Sequence, residues 1–177
     1  GARFGRAVEL ANISAGIAVS RNGVAVISDD DLRTAIEGGD SSRKWLTTPQ
    51  LIESRKSFRR AGRKVVFTNG CFDLLSAMHI RLLEKARSLG DVLIVALNSD
   101  PSVRMLKGEG RPLLPIHERV ELLSSLQFVD FVTVFDKETP EDLLRQLEPD
   151  ILVKGNTGEP VVGSEIVEKY GGQIRVL

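Results

Sequence analysis

The stretch Lys64–Gly90, KVVFTNGCFDLLSAMHIRLLEKARSLG, constrains this chain more than any other. Val65 to Phe67 form a short apolar run, broken by Thr68, Asn69 and Gly70. Such a run reads as a buried strand of a parallel sheet. From Leu74 the spacing turns helical, with Leu75, Met78, Leu82, Leu83 and Ala86 on one face, and Gly90 ends the helix. The unit is therefore strand, glycine turn, helix. Free backbone N–H groups at such a turn and helix start bind anions, phosphate above all.

The rest of the chain repeats the alternation. DVLIVALNSD gives a second buried strand, Val92 to Leu97, with Asn98, Ser99 and Asp100 at its carboxyl end. Open parallel sheets bind ligands at that edge. A short helix, Pro101 to Leu106, leads into KGEGRPLLP, which holds two glycines, two prolines, Lys107 and Arg111. That composition predicts a mobile loop able to cover phosphates; the alternative is a solvated surface loop. IHERVELLSSLQF predicts a helix burying Val120, Leu122, Leu123 and Leu126, with Arg119 on its edge and His117 at the surface. VDFVTVF, ILVKG and QIRVL supply three more strands, with Lys154 at the carboxyl end of the second. TPEDLLRQLEPD, with Thr139 as cap and Pro140 as first helical residue, and GSEIVEKYGG are the helices between them. Five strands alternating with helices predict an α/β fold: a doubly wound, mainly five-stranded parallel sheet, Rossmann-like, with right-handed crossovers.

Upstream, Gly1 to about Ser28 reads as a helix and a glycine-bounded short strand. DDDLRTAIEGG reads as a capped helix, and Gly39 to Lys44 as a linker. A helix with Pro49 at its start presents Leu51, Ile52 and Phe58 inward and Arg55, Lys56, Arg59 and Arg60 outward. The basic run reads as a solvated face, because no aromatic platform is interleaved with it.

Lys plus Arg equals Asp plus Glu, 24 each, so no global field draws nucleic acid or an anionic membrane. There is no apolar run long enough to span a bilayer and no basic-then-apolar leader. Cys71 is the single cysteine and cannot form an internal disulfide. These points predict a cytoplasmic setting. Cys71 itself reads as a small buried hydrophobe.

TNGCFDLLSAMH resembles the opening motif of the nucleotidylyltransferase superfamily, T-x-G-x-F-D-x-x-H-x-G-H. Within that superfamily it is most similar to heptose-1-phosphate adenylyltransferases, with glycerol-phosphate and ethanolamine-phosphate cytidylyltransferases further off. Thr68, Gly70, Phe72, Asp73 and His79 match, while Ser76 stands where the family has its first His and Met78 where it has Gly. The likeness continues through NSDPSVRMLKGEGRP, ERVELLSSLQFVD and PDILVKG, covering roughly Arg63 to Leu177. Residues 1–45 resemble the last pieces of a ribokinase-like sugar kinase plus a linker. They lack its Gly-Ala-Gly-Asp motif, which implies no kinase activity. Residues 46–177 resemble the nucleotidylyltransferase unit of bifunctional heptose enzymes. The K-G-G-D-Y segment of that unit is altered here to KGNTGEPVVG, and its later Gly-x-Ser-Thr-Thr segment is not found before Leu177.

The resemblance implies nucleotidyl transfer. A sugar 1-phosphate oxygen, heptose 1-phosphate first among candidates, attacks the α-phosphorus of ATP. Pyrophosphate leaves, and an ADP-sugar for lipopolysaccharide precursors results. Positioning and charge stabilisation suffice, with no covalent intermediate. Mg2+ would neutralise the leaving pyrophosphate. The implied roles are His79 as donor to a phosphate oxygen, Lys107 and Arg119 as holders of the β- and γ-phosphates, and Arg111 as their helper. The turn Thr68, Gly70, Cys71, Phe72 and Asp73, with Ser76 and Met78, would bind nucleotide. Asn98, Ser99 and Asp100 would face the sugar phosphate, and Lys154 the sugar phosphate or the nucleotide. Asp73 has two readings: it orients the sugar or His79, or it caps the helix. Relatives often pair, which implies a homo-oligomer.

Ser76 and Met78 also support a second class of function, a catalytically impaired domain serving as a binding or assembly module. A cytidylyltransferase for another phosphorylated small molecule is a further alternative. A dinucleotide-dependent oxidoreductase fits poorly, because G-x-G-x-x-G is absent and no acidic residue follows the second strand. A class I aminoacyl-tRNA synthetase needs a tRNA-binding domain for which the chain is too short.

Overall fold

The computed structural model describes residues 44–177 apart from 157 and 159. The segment expected to resemble a kinase remnant plus linker, residues 1–45, lies outside the described residues except for Lys44 and Trp45. Lys44–Leu177 form one unit.

Its elements run α1 (Thr48–Arg60), β1 (Val65–Gly70), α2 (Ala77–Arg87), β2 (Val92–Asn98), α3 (Asp100–Lys107), α4 (Ile116–Ser124), β3 (Phe131–Phe135), α5 (Glu141–Leu147), β4 (Ile151–Lys154), α6 (Ser164–Lys169) and β5 (Gln173–Val176). The five strands form one sheet of order β3-β2-β1-β4-β5, and every neighbouring pair is parallel. The predicted doubly wound α/β sheet is therefore the fold of the described residues.

Strand periodicity builds two cores, because successive side chains point to opposite faces. Val66, Leu93, Val95, Leu97, Val132, Ile151 and Val153 pack under α2 and α4 through Leu83, Ala86, Val120 and Leu123. Val65, Phe67, Val92, Ile94, Ala96 and Leu152 pack on the other face against Leu51 of α1, Leu143, Leu144 and Leu147 of α5, and Val167 of α6. The strand order runs outward from the adjacent β1 and β4 in opposite directions, so the topology reverses between them at the centre of the sheet. Their carboxyl ends open the crevice where such sheets bind ligands.

Several local expectations change. Thr68 to Gly70 do not break the first strand: all three remain in β1 and pair with Val95 to Leu97 of β2. Thr47 caps α1, in a capping box with Gln50, so the helix begins one residue ahead of Pro49. Arg55, expected outward, is buried, because its guanidinium bonds the Leu147 and Glu148 carbonyls and Asp150 at the carboxyl end of α5. Leu122, expected in the core, is exposed. Pro140 precedes α5 as its N-cap residue, and Thr139 makes no cap.

Candidate active site

The end of β1 runs straight into the turn. Phe72 takes a left-handed backbone, φ 43°, where a bulky side chain is strained by about 1–2 kcal/mol. The Phe72 ring folds back over Gly70, where an added Cβ would lie 3.1 Å from its Cε2. A side chain at this position would press on the ring, so glycine lets the turn close this tightly.

Ser76 caps α2. Its Oγ accepts from the His79 N–H, and its own N–H donates to His79 Nδ1 at 3.1 Å. Ser76 Oγ also lies 3.0 Å from Nδ1, and the Phe72 ring packs 5.3 Å from the imidazole. An N–H aimed at Nδ1 needs a lone pair there, so the neutral ring carries its proton on Nε2. His79 is thereby presented as a donor at the helix start. Ser76, standing where the family pattern has a His, acts as cap and as holder of His79.

Met78 is 79 % exposed. It belongs to no buried face of α2, contrary to the sequence expectation.

Asp73 does not cap the helix. Its Oδ2 accepts from Arg111 Nη1 at 2.6 Å and its Oδ1 from the Leu113 N–H at 2.5 Å, so the capping alternative is removed. Burial alone would raise the Asp73 carboxyl, but bonds from Arg111, Leu113 and Leu114 outweigh it and hold it below the usual range.

Arg119 is placed differently from a phosphate clamp. Its side chain is fully buried. Nη1 donates to the Cys71 and Asn98 carbonyls, Nε to the Leu114 carbonyl and Nη2 to Asp100 Oδ1. One guanidinium thus ties together the turn, the end of β2 and the loop before α4. Asn98, Ser99 and Asp100 are likewise committed to structure. Asn98 Nδ2 donates to Ser102 Oγ, Ser99 caps α3, and Asp100 pairs with Arg119.

The cations that face outward are fewer than the sequence implied. Lys107 is exposed in the last turn of α3. Arg111 is 40 % exposed beside Asp73. Lys154 lies at the central crevice, its Nζ donating to the Asn69 carbonyl at 3.1 Å, and burial lowers its pKa to about 8. Burial pushes the Cys71 thiol up despite Lys107, Arg119 and Lys154 nearby, which suits an inert thiol. Thr68 is buried in β1. Sequence reasoning missed Asn69, whose carbonyl holds Lys154 and whose Oδ1 is buried without a partner among the described residues. Its place at the end of a buried strand was the available signal.

Among the described residues no group of three or more His, Cys, Asp and Glu side chains could hold a metal, and no helix is long and apolar enough to cross a membrane. Magnesium that enters as a nucleotide complex needs no such cage, since phosphates and water supply most of its ligands.

Residues 67–172 match the Cytidylyltransferase-like family. The whole chain aligns with proteins called "Bifunctional protein HldE", 46% identical over 180 residues in Alcanivorax borkumensis and 49% identical over 180 residues in Hahella chejuensis. The chain spans 38% of the length of each of these relatives. Among solved structures, a lipopolysaccharide core biosynthesis protein from Thermoplasma volcanium GSS1 superposes with a TM-score of 0.54 at 26% identity, over 65% of this chain and 94% of that one.

Proposed function

The chain belongs to the cytidylyltransferase-like family, and on that premise we propose that it transfers the adenylyl group of ATP to a sugar 1-phosphate, heptose 1-phosphate foremost. The observation that carries this reading is the convergence on one edge of the sheet of the Gly70–Asp73 turn, the His79 donor at the start of α2, and Lys154 at the carboxyl end of β4 beside β1. The likeness to the bifunctional relatives, and to a structural neighbour that is a lipopolysaccharide core biosynthesis protein, supports the pathway class.

In the reaction a phosphate oxygen of the sugar attacks the α-phosphorus, a new P–O bond forms, and the bond to the pyrophosphate oxygen breaks. The attacking oxygen is already anionic, so no strong base is needed. His79 Nε2–H and the first N–H groups of α2 receive charge on the α-phosphate oxygens. Lys154 holds a phosphate at the crevice floor, while Lys107 and Arg111 meet the leaving end. Bound Mg2+ would supply charge neutralisation on the triphosphate. The reading includes a cytoplasmic setting and a paired chain, which sedimentation tests.

The deciding experiment is pyrophosphate release by the purified chain with Mg2+, ATP or CTP, and a panel of sugar 1-phosphates. Release that needs both ATP and heptose 1-phosphate is expected. Ser76 in the place of the first motif His favours one rival, a binding module. ATP binding by calorimetry without turnover would establish that rival instead.

A further inference from the structure

We propose that Asp73 is a positioning residue whose carboxylate latches the 108–115 loop across the turn and so sets where Arg111 meets the triphosphate. The proposal rests on the nucleotidyl-transfer reading above. Asp73 is free for this duty because Ser76, not Asp73, caps α2. Its side chain is 2 % exposed, and its partners come from one short segment: Arg111 on Oδ2, and the N–H groups of Leu113 at 2.5 Å and Leu114 at 3.4 Å on Oδ1. The next carbonyl, Leu114, is gripped by Arg119, which also grips Cys71 in the turn. Residues 111–114 are therefore fastened to the turn from two sides.

The residues just upstream are built otherwise. Gly108 and Gly110 have φ of +88° and +83° with no atom within 4 Å of an added Cβ. The loop thus joins two unencumbered glycines to a fastened segment, and Arg111 is the first residue of that segment. Its guanidinium spends Nη1 on Asp73 and remains 40 % exposed. With five N–H donors on a guanidinium, an outward edge remains for an anion. Asp73, being anionic and buried, has nothing to offer a triphosphate directly; it acts through Arg111. A merely stabilising ion pair would make no distinction between nucleotides, whereas a positioning pair distinguishes ATP from AMP.

The test is a double-mutant cycle of Asp73→Asn and Arg111→Gln. It uses pyrophosphate release for KM and kcat, and calorimetry for ATP and AMP. A charged hydrogen bond to phosphate corresponds to about 10- to 100-fold in affinity. Asp73→Asn is expected to raise KM for ATP by about 10-fold, with kcat changed much less and AMP binding unchanged. The double variant is expected to be no worse than Arg111→Gln alone. Additive losses, or equal loss for AMP and ATP, overturn the proposal. Should Asp73→Asn not fold, amide exchange in the parent decides. The Leu113 N–H must be protected and stay protected with ATP bound; its release by ATP would mean a latch that opens, and the proposal is wrong. A parent that neither binds ATP nor releases pyrophosphate overturns the nucleotidyl-transfer reading and this one together. An active parent with an additive cycle overturns this one alone.

Discussion

Replacing Arg119 by Met removes the guanidinium while keeping an unbranched side chain of similar reach. The four acceptors it serves, the Cys71, Asn98 and Leu114 carbonyls and Asp100 Oδ1, then lose their donor together. Breaking a buried pair by deleting one partner costs about 3–5 kcal/mol, because the other charge stays behind. Asp100 is 25 % exposed, so water recovers part of that, and the lower half of the range is expected. A domain has about 5–15 kcal/mol in total, so the variant should fold but be visibly weakened. Urea denaturation followed by circular dichroism reads the effect. With a slope of about 1–3 kcal/mol/M, the midpoint should fall by roughly 1–4 M with the slope unchanged. Arg119→Lys should lose nearly as much, because an ammonium cannot span acceptors in three segments. If Arg119→Met is as stable as the parent within about 1 kcal/mol yet loses ATP, Arg119 is a phosphate contact and the scaffold argument fails.

Three smaller changes carry equally definite expectations. Gly70→Ala should cost about 1–3 kcal/mol by pushing the Phe72 ring, read by thermal melting, and an unaltered melting point would show that the ring yields freely. Ser76→Ala should cost about 1 kcal/mol of helix capping, Ser76→Asp should restore it, and only NMR of the His79 ring nitrogens will show whether the Nε2–H form survives either change. Lys154 has a folded pKa of about 8 against an ordinary value of 10.5. Between those values the unfolded chain binds the proton that the folded chain has released. Parent stability relative to Lys154→Met should therefore rise as pH goes from about 8 to 10.5, while anion binding weakens over the same range; a flat difference would refute the burial of the amine.

How much was legible follows from the kind of signal. Apolar runs such as Val92–Leu97 report burial directly, so strand number, order of elements and the parallel sheet could be read from sequence. The turn was legible because Gly70 and the helical spacing after it depend on local chemistry. The partners of charged residues were not. Arg55 and Arg119 look like surface cations until distant carbonyls, Leu147 to Asp150 for one and Cys71 to Leu114 for the other, are folded against them. Asp73 could be a cap, a ligand or a latch by spacing alone, and a contact 38 residues away decides it. Ser76 looked like a lost histidine, whereas its value as a cap depends on which residue starts α2.

Ahead of α1, Trp45 bridges Val132 in parallel, the Leu46 N–H donates to the Val132 carbonyl at 2.9 Å, and Lys44 Nζ donates to the Leu126 carbonyl. Of these three residues only Leu46 packs against a core, at its margin, yet together they occupy the outer side of β3. A shortened version beginning at Thr47 would keep all of its buried core residues, lose the Leu46 contact at the margin, and lose that cover. The bared pairing groups of β3 would then be open to a strand from another molecule. At the opposite edge β5 is only four residues long, with Arg175 exposed, a length and charge that discourage such pairing. Anyone excising the domain therefore has to place the cut by the needs of the sheet margin. A fragment trimmed to the helix would be expected to fold and then clump.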